Sequence, residues 1–403
     1  MGFELYTIGG KSGEVVIMTT LFIYWYSIEM RLFFQSIFFY VYIIKWRWMI
    51  KTIDLSEGRI WMNITFFIGN GFDLNIGLET EYSNFYPYFI KNASEDNMIK
   101  KWISDKESQW SDLERKLGLE IKRVSESELR RFLEDKFELD ELLSKYLEQQ
   151  EALISDNGAH FMVDEFSRSL REYDIGYPEG FSGEISTIKK KYANERFHFQ
   201  FICFNYTRVL DRIVECAKKE GPLSSHYPAN GTALKDYYGE VIHIHGTTES
   251  DMVLGVNDID QIGNEILKTN LDLQLSIIKK TINEKSRNNM INRAMRIISN
   301  SHIILIYGMS MGETDNMWWD ILIDWLEDAN NRLVLYYYFE DAAMIKRSAA
   351  KKNIENKKII DRLLGRKKLS RKVYDSMESR ILVMIESNIF CFKSMNKIEQ
   401  IRE

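Results

Sequence analysis

Cysteine and proline are both scarce in this 403-residue chain. The three cysteines, Cys203, Cys216 and Cys391, are an odd and widely spaced set without a C-x-x-C pair. They argue against a disulfide framework and a structural zinc site, so we expect a reducing compartment, the cytoplasm. Four prolines beside 22 glycines exclude a collagen-like or proline-rich disordered chain. The net charge is −6, so basic residues are not in excess. Because binding of nucleic acid usually needs a basic surface, nucleic acid is not an expected partner.

Uninterrupted apolar runs are too short to cross a membrane as single helices. The two longest, residues 15–28 and 32–44, are separated by a segment with Glu29 and Arg31, whereas a spanning helix needs roughly 18–20 apolar residues. No small-residue cleavage site follows, so a signal peptide fits poorly. Three interpretations of residues 1–61 stay open: a gene start assigned upstream of the true start at Met62, a membrane anchor through residues 15–44, and a soluble N-terminal module.

From Met62 onward, short apolar runs alternate with helical patterns. The runs predict strands at residues 64–68, 199–204, 241–244, 252–256, 302–307 and 333–339. Near-continuous apolar strands followed by helices are typical of a mostly parallel sheet with helices on both faces. We therefore predict an α/β protein with a Rossmann-like sheet over residues 62–345.

Four segments outside the predicted strands are expected to be helical. Residues 207–219 and 314–328 have apolar positions at helical spacing, and each begins with a threonine suited to capping. Residues 83–195 are charged and poor in strand signals, which predicts a helical insertion. Residues 346–403 are predicted to be a basic helical segment; a solvated charged helix is favoured over contact with nucleic acid through residues 346–372.

Polar motifs follow five of the predicted strands. They are G-N-G-F-D-L-N-I-G (residues 69–77), F-N-Y-T (204–207), H-I-H-G-T (243–247), G-V-N-D (255–258) and G-M-S-M-G-E-T-D (308–315). Ligands of open α/β sheets bind beyond the carboxyl ends of the strands. The five motifs therefore predict one shared cleft.

The first motif allows two interpretations. Gly69 and Gly71 would let the backbone approach a ligand closely, and the amides that open the next helix favour phosphate. Leu74 stands where the dinucleotide fingerprint requires glycine, so an ordinary Rossmann dehydrogenase is not supported. A tight turn without a ligand explains the glycines equally well.

Several polar residues of the motifs are candidates for chemistry. His245 could act as a general base near pH 7, although a structural role is the competing interpretation and His243 lies on the same strand face. Asn205 could orient a water or a ribose hydroxyl, or cap a turn. Asp73 and Asp315 could contact a ligand or simply favour a helix N-terminus.

The F-F-I-G-N-G-F-D-L-N-I-G-L-E-T-E-Y-S-N-F run (residues 66–85) resembles the opening signature of AbiH-type bacteriophage abortive infection proteins. Later blocks resemble the family in the same order, at residues 204–207, 244–246, 254–258 and 308–315, followed by Trp318 and Trp319. The resemblance covers Met62 to about Asp341 and departs at Met309, where the family usually has histidine. It implies a bacterial protein that limits phage spread, often by harming the host cell, but it implies no reaction.

A more distant resemblance is to the sirtuin-like NAD-binding fold. Its four motifs are similar to residues 69–73, 205–207, 245–246 and 308–315, but Asp73 and Thr207 replace the usual serine and acidic residue, and the zinc-binding cysteines are missing. The resemblance implies NAD as substrate or ligand, without zinc. It implies Asn205 and His245 as catalytic residues. It implies ligand binding by Gly69, Asn70, Gly71, Phe72, Asp73, Gly308, Ser310 and Asp315.

Two other classes of function stay open. Asp73, Asp258 and Asp315 could hold Mg²⁺ in a nuclease or phosphohydrolase. Alternatively, the cleft could bind a nucleotide without turnover while the helical insertion meets a phage protein as trigger. A homo-oligomer is compatible with each of these hypotheses.

Overall fold

The computed structural model describes residues 61–105, 112–228, 231–286, 289–339, 342–385 and 389–392. The three interpretations of the N-terminal residues concern a segment that lies outside these ranges. Within them, no helix combines the length and the apolar character that crossing a membrane requires.

A seven-stranded sheet, in the order β3-β4-β2-β1-β5-β6-β7, lies at the centre of the fold. Its strands are β1 (Met62–Ile68), β2 (Phe197–Cys203), β3 (Ser224–His226), β4 (Leu234–His243), β5 (Ile303–Tyr307), β6 (Arg332–Tyr337) and β7 (Ile381–Ile385). Every neighbouring pair is parallel except β3 and β4, which are antiparallel. The predicted α/β fold with a mostly parallel sheet is confirmed.

Helices cover both faces of the sheet. They are α1 (Gly71–Ile76), α2 (Tyr82–Asn92), α3 (Met98–Asp105), α4 (Leu113–Glu120), α5 (Leu129–Glu151), α6 (Asp156–Phe161), α7 (Val163–Arg171), α8 (Glu179–Lys191), α9 (Val209–Glu220), α10 (Leu271–Ile277), α11 (Lys279–Lys285), α12 (Met290–Asn300), α13 (Asn316–Trp325), α14 (Ala342–Lys346), α15 (Ala349–Leu364) and α16 (Arg371–Glu378). Side chains alternate along each strand, so Phe66 packs in one core and Phe67 in the other. Two buried faces explain why the strands read as continuous apolar runs.

The order of the parallel strands creates a switch point beside β1. The chain passes from β1 to β2 and β4 on one side, then crosses to β5, β6 and β7 on the other. The helices that follow β1 and β5 therefore lie on opposite faces of the sheet, α1 in one core and α13 in the other. In doubly wound sheets the switch point is where ligands bind.

The helical stretch between β1 and β2 has two parts. Helices α6–α8 pack on one face of the sheet through residues such as Phe166 and Ile185. Helices α2–α5 have a separate core with Phe85, Phe132 and Leu143, and this core also takes apolar residues from the 252–278 segment. We call α2–α5 together with residues 252–278 the cap.

Two predictions of secondary structure are wrong. Residues 252–256 are irregular, and Val256 forms only an isolated bridge with Ile278. Their apolar side chains belong to the core of the cap, which a strand-like run of apolar residues does not distinguish from a sheet. Residues 381–385, predicted to be helical, form β7 because I-L-V-M-I pairs in parallel with β6.

Candidate functional site

A cleft of about 1500 Å³ lies at the carboxyl ends of β1, β2, β5 and β6. Nine of the ten predicted site residues line it: Gly69, Asn70, Gly71, Asp73, Asn205, His245, Gly308, Ser310 and Asp315. Ligand pockets commonly have volumes of roughly 300–1,000 Å³, so the cleft has room for a dinucleotide. The loops after β1, β2, β4 and β5 thus converge as the motifs predict.

The loops after β1 and β5 touch each other backbone to backbone. The amide of Gly69 donates to the carbonyl of Tyr307 and that of Gly71 to the carbonyl of Gly308, both at 2.9 Å. A Cβ atom on Gly71 would lie 2.5 Å from Cα of Gly308, which itself has a φ of +71°. Glycine is therefore required at this contact, which we call the glycine seam. It uses two of the amides that were expected to receive a phosphate.

Asn70 and Phe72 have structural roles beside the seam. Asn70 Nδ2 donates to the carbonyl of Thr80 at 3.1 Å, and Thr80 Oγ1 donates to Asn70 Oδ1 at 2.6 Å. The Phe72 ring is fully buried against Phe390 and Phe392. Phe72 does not line the cleft, so its side chain is not placed to contact a ligand there.

Asp73 is a buried carboxyl group at the base of the cleft. Its Oδ2 accepts a hydrogen bond of 2.6 Å from Thr207 Oγ1, so Thr207 does not cap α9 as expected. Burial raises the pKa of Asp73 to about 7, although the side chains of Thr207 and Asn205 oppose this. Its Oδ1 has no hydrogen-bond partner among the described residues. Asp73 is therefore poised between its neutral and ionised forms near neutral pH.

Asn205 follows β2 and also lines the cleft. Its side chain is buried, yet neither Oδ1 nor Nδ2 finds a partner in the described part of the chain. A buried polar atom without a hydrogen bond costs about 1–3 kcal/mol, and such groups call for an explanation such as a ligand or a water. The amide of Asn205 thus offers one donor and one acceptor to a bound molecule.

His243 has both ring nitrogens engaged. Nδ1 lies 2.8 Å from the carbonyl of Asn205 and Nε2 lies 2.6 Å from Asp211 Oδ2. Both partners accept, so the ring donates twice, as only the imidazolium can. Burial alone lowers the pKa of His243, but Cys203 and Asp211 raise it to about 11. Its two acceptors therefore favour the imidazolium form of His243, which holds the Asn205 backbone in place.

His245 has one ring nitrogen engaged. Its Nε2 lies 2.9 Å from Asp315 Oδ1, while Nδ1 is buried and unpartnered within the ranges described. Because a carboxylate accepts at Nε2, that nitrogen carries a proton; in the neutral ring Nδ1 then has the lone pair, a tautomer assigned from this partner. His245 lines the cleft, with the ring of Phe204 packed edge-on at 5.7 Å. In this tautomer the neutral ring can accept a proton at Nδ1.

Two charged residues outside the five motifs, Lys279 and Glu114, extend the network of ion pairs from Asp315 toward the cap. Lys279 Nζ lies 3.0 Å from Asp315 Oδ1 and 2.8 Å from Glu114 Oε2. Burial alone would raise the pKa of Asp315, but Lys279 and His245 hold it well below its usual range. Lys279 and Glu114 lie in charged helical stretches that resemble any solvated helix, so no sequence signal marked them.

The remaining predicted residues lie apart or on the rim. Ser310 is exposed at the cleft edge. Asp258 accepts hydrogen bonds from Asn257 and Asp260 in its own turn and does not line the cleft. Across the described ranges, no group of three His, Cys, Asp or Glu side chains is placed to hold a metal ion. The magnesium site predicted at Asp73, Asp258 and Asp315 is not assembled.

The fold and its cleft define a doubly wound α/β protein with a polar site at the switch point of its sheet. The model of the family described as bacteriophage abortive infection AbiH matches residues 65–337, more than half of the chain. The chain belongs to the AbiH family and is a bacteriophage abortive infection protein, as its motifs predict. A search among curated proteins returns no match. The sirtuin-like resemblance stays a prediction.

Proposed function

We propose that this abortive infection protein binds a dinucleotide in the cleft and hydrolyses NAD at its N-glycosidic bond. One observation carries the proposal. Buried polar atoms without partners among the described residues gather around the cleft, in the segments that follow three strands: Oδ1 of Asp73, both side-chain polar atoms of Asn205, and Nδ1 of His245. Because each such atom is costly when left unpaired, their concentration beside one cavity favours a polar ligand.

The chemistry follows from the state of His245. Asn205 holds the attacking water or a ribose hydroxyl through its amide. The bond between C1′ and the nicotinamide nitrogen breaks through an oxocarbenium-like state, and nicotinamide leaves with the bonding electrons. The water oxygen adds to C1′ and its proton passes to Nδ1 of His245, while Asp315 stabilises the resulting imidazolium. The products are ADP-ribose, nicotinamide and one proton.

The glycine seam changes the expected position of the phosphates. The amides of Gly69 and Gly71 already donate to backbone carbonyls. The exposed hydroxyl of Ser310, at the rim of the same cleft, is a donor that remains accessible to a pyrophosphate. We therefore place the pyrophosphate beside the loop after β5 rather than on the glycine turn.

The test compares wild-type protein with His245→Gln, which keeps a donor toward Asp315 and removes the base. We expect nicotinamide release to fall about 10²–10⁴-fold with the fold intact. His160→Gln is the matched control, because His160 is an exposed histidine paired with Glu220 outside the cleft. Mass spectrometry of small metabolites is done on cells with each protein, with and without phage.

The outcomes separate the functional classes. Unchanged NAD levels with wild-type protein in infected cells would exclude hydrolysis, and tight nucleotide binding without turnover would then favour a sensor. Equal turnover by wild type and His245→Gln would remove His245 from the mechanism.

A further inference from the structure

A buried chain of charged side chains joins the cap to the candidate base. Glu114 on α4 contacts Lys279 at the start of α11, Lys279 contacts Asp315 after β5, and Asp315 contacts His245 after β4. The side chains of Lys279 and Glu114 are 7% and 8% exposed. We call these four residues the charge relay. Four segments that are distant in sequence meet in it.

Burial makes the pairing within the relay obligatory. An isolated charge in a protein interior costs several kcal/mol, and a partner within hydrogen-bond distance offsets that cost. Lys279 is shared by two carboxylates, so each of them depends on its single ammonium group. Tyr206 completes the anchor, since its hydroxyl lies 3.3 Å from Glu114 Oε1 and 3.1 Å from the carbonyl of Val253.

The charge on Asp315 decides which nitrogen of His245 carries the proton. When the imidazole is neutral, an ionised Asp315 accepts from Nε2 and leaves Nδ1 with a lone pair. A neutral Asp315 would donate to Nε2, which would place the imidazole proton on Nδ1 and abolish the base. Without Lys279, burial would favour the neutral carboxyl.

We propose that Lys279 is a positioning residue, which keeps Asp315 ionised and thereby holds His245 in the tautomer whose Nδ1 accepts a proton, with Glu114 as its anchor. The proposal rests on the proposed function for its catalytic meaning. The tautomer itself is a property of the protein without substrate. The other ionisable groups that interact electrostatically with members of the relay are Tyr82, Tyr206 and Asp140.

The test replaces Lys279 by methionine, which has similar length and no charge. In protein with ¹⁵N-labelled histidine, NMR should show Nδ1 of His245 unprotonated in the wild type and protonated in Lys279→Met, with the signal assigned by its loss in His245→Gln. We expect kcat for NAD to fall about 10–100-fold with little change in KM, and Lys279→Arg to restore the wild-type tautomer and most of kcat. Lys145→Met is the matched control, because Lys145 forms an exposed ion pair with Glu141.

Each result supports or overturns the proposal. Should Lys279→Met not fold, Lys279→Gln is measured in its place, because it keeps a hydrogen-bond donor and removes only the charge. An unprotonated Nδ1 in the folded, charge-free variant would overturn the role of Lys279. A tautomer change in a protein that never hydrolyses NAD would support the relay and refute the proposed reaction.

Discussion

His243 and His245 lie two residues apart, yet their partners give them opposite states. His243 donates to a backbone carbonyl and a carboxylate and therefore stays charged. His245 has one carboxylate partner and an unpartnered Nδ1 within the described structure, so its Nδ1 is not committed to a protein acceptor. The sequence offered both residues as candidates, because it contains the two imidazoles but not the identity of their neighbours. The geometry favours His245 as the base.

The raised pKa of Asp73 leads to a prediction about how the free energy of unfolding depends on pH. Its pKa is raised from 3.8 to about 7, so the folded state binds this proton more tightly than the unfolded state. The stabilising contribution is therefore complete below pH 3.8 and is lost as the pH rises through about 7. Between pH 5 and pH 8 the wild type should lose about 2–3 kcal/mol relative to Asp73→Asn.

Urea unfolding of the two proteins across this pH range measures the difference. Asp73→Asn is nearly isosteric and keeps an acceptor for Thr207, so it changes the titration rather than the packing. Parallel stability curves for the two proteins would show that Asp73 does not titrate in this range.

At the scale of elements, strands were predictable where a continuous apolar run is buried on both faces. β1 and β5 meet this condition, and their predicted positions agree with the structure to within about two residues. Residues 252–256 have the same local pattern but pack in the core of the cap. Only tertiary contacts distinguish the two environments, so local sequence could not.

The candidate site was predictable to the extent that parallel strands bring their carboxyl ends together. This rule places Asn205, His245 and Asp315 at one edge. The rule does not predict Lys279 and Glu114, because neither follows a strand of the sheet. Glu114 lies in the cap and Lys279 directly follows it, and both reach the site only when remote segments fold together. The rule also does not predict that the amides of Gly69 and Gly71 already donate hydrogen bonds, because their acceptors lie at the end of β5 and in the loop after it.

The glycine seam leads to a testable prediction about the packing of the loops after β1 and β5. Gly71→Ala would place a methyl group 2.5 Å from Cα of Gly308, so the loops after β1 and β5 must separate. We expect a loss of about 2–4 kcal/mol of stability and a weaker nucleotide affinity. Thermal unfolding and titration with NAD measure both.

Gly183→Ala is the matched control for this change. Gly183 lies within α8, and a Cβ there meets no atom within 4 Å among the described residues. Alanine should stabilise this helix by up to about 1 kcal/mol. An equal effect of the two substitutions would show that the seam is not a tight contact.

At the scale of the whole molecule, residues near the C-terminus complete the core under the site. Phe390 is fully buried and its ring packs against Phe66, Phe72 and Phe166. Its carbonyl accepts a hydrogen bond from Asn75 Nδ2. The turn that carries Asp73 is therefore supported by residues more than three hundred positions away.

Phe390→Ala tests this support. Removal of a buried phenylalanine ring costs about 3–5 kcal/mol, so we expect a lower Tm together with loss of ligand binding. Phe137→Ala is the control, since Phe137 on α5 is 56% exposed. Calorimetry of both variants measures the effect. Similar unfolding temperatures would show that Phe390 does not stabilise the core under the site.

The spacing of the charge relay along the chain has a consequence for synthesis. Its members stand at positions 114, 245, 279 and 315, and the aromatic support beneath the site comes later still, at position 390. Domains fold as their residues leave the ribosome, so a nascent chain halted before position 315 has no carboxylate to orient the imidazole. The candidate site is therefore incomplete until most of the chain has been translated.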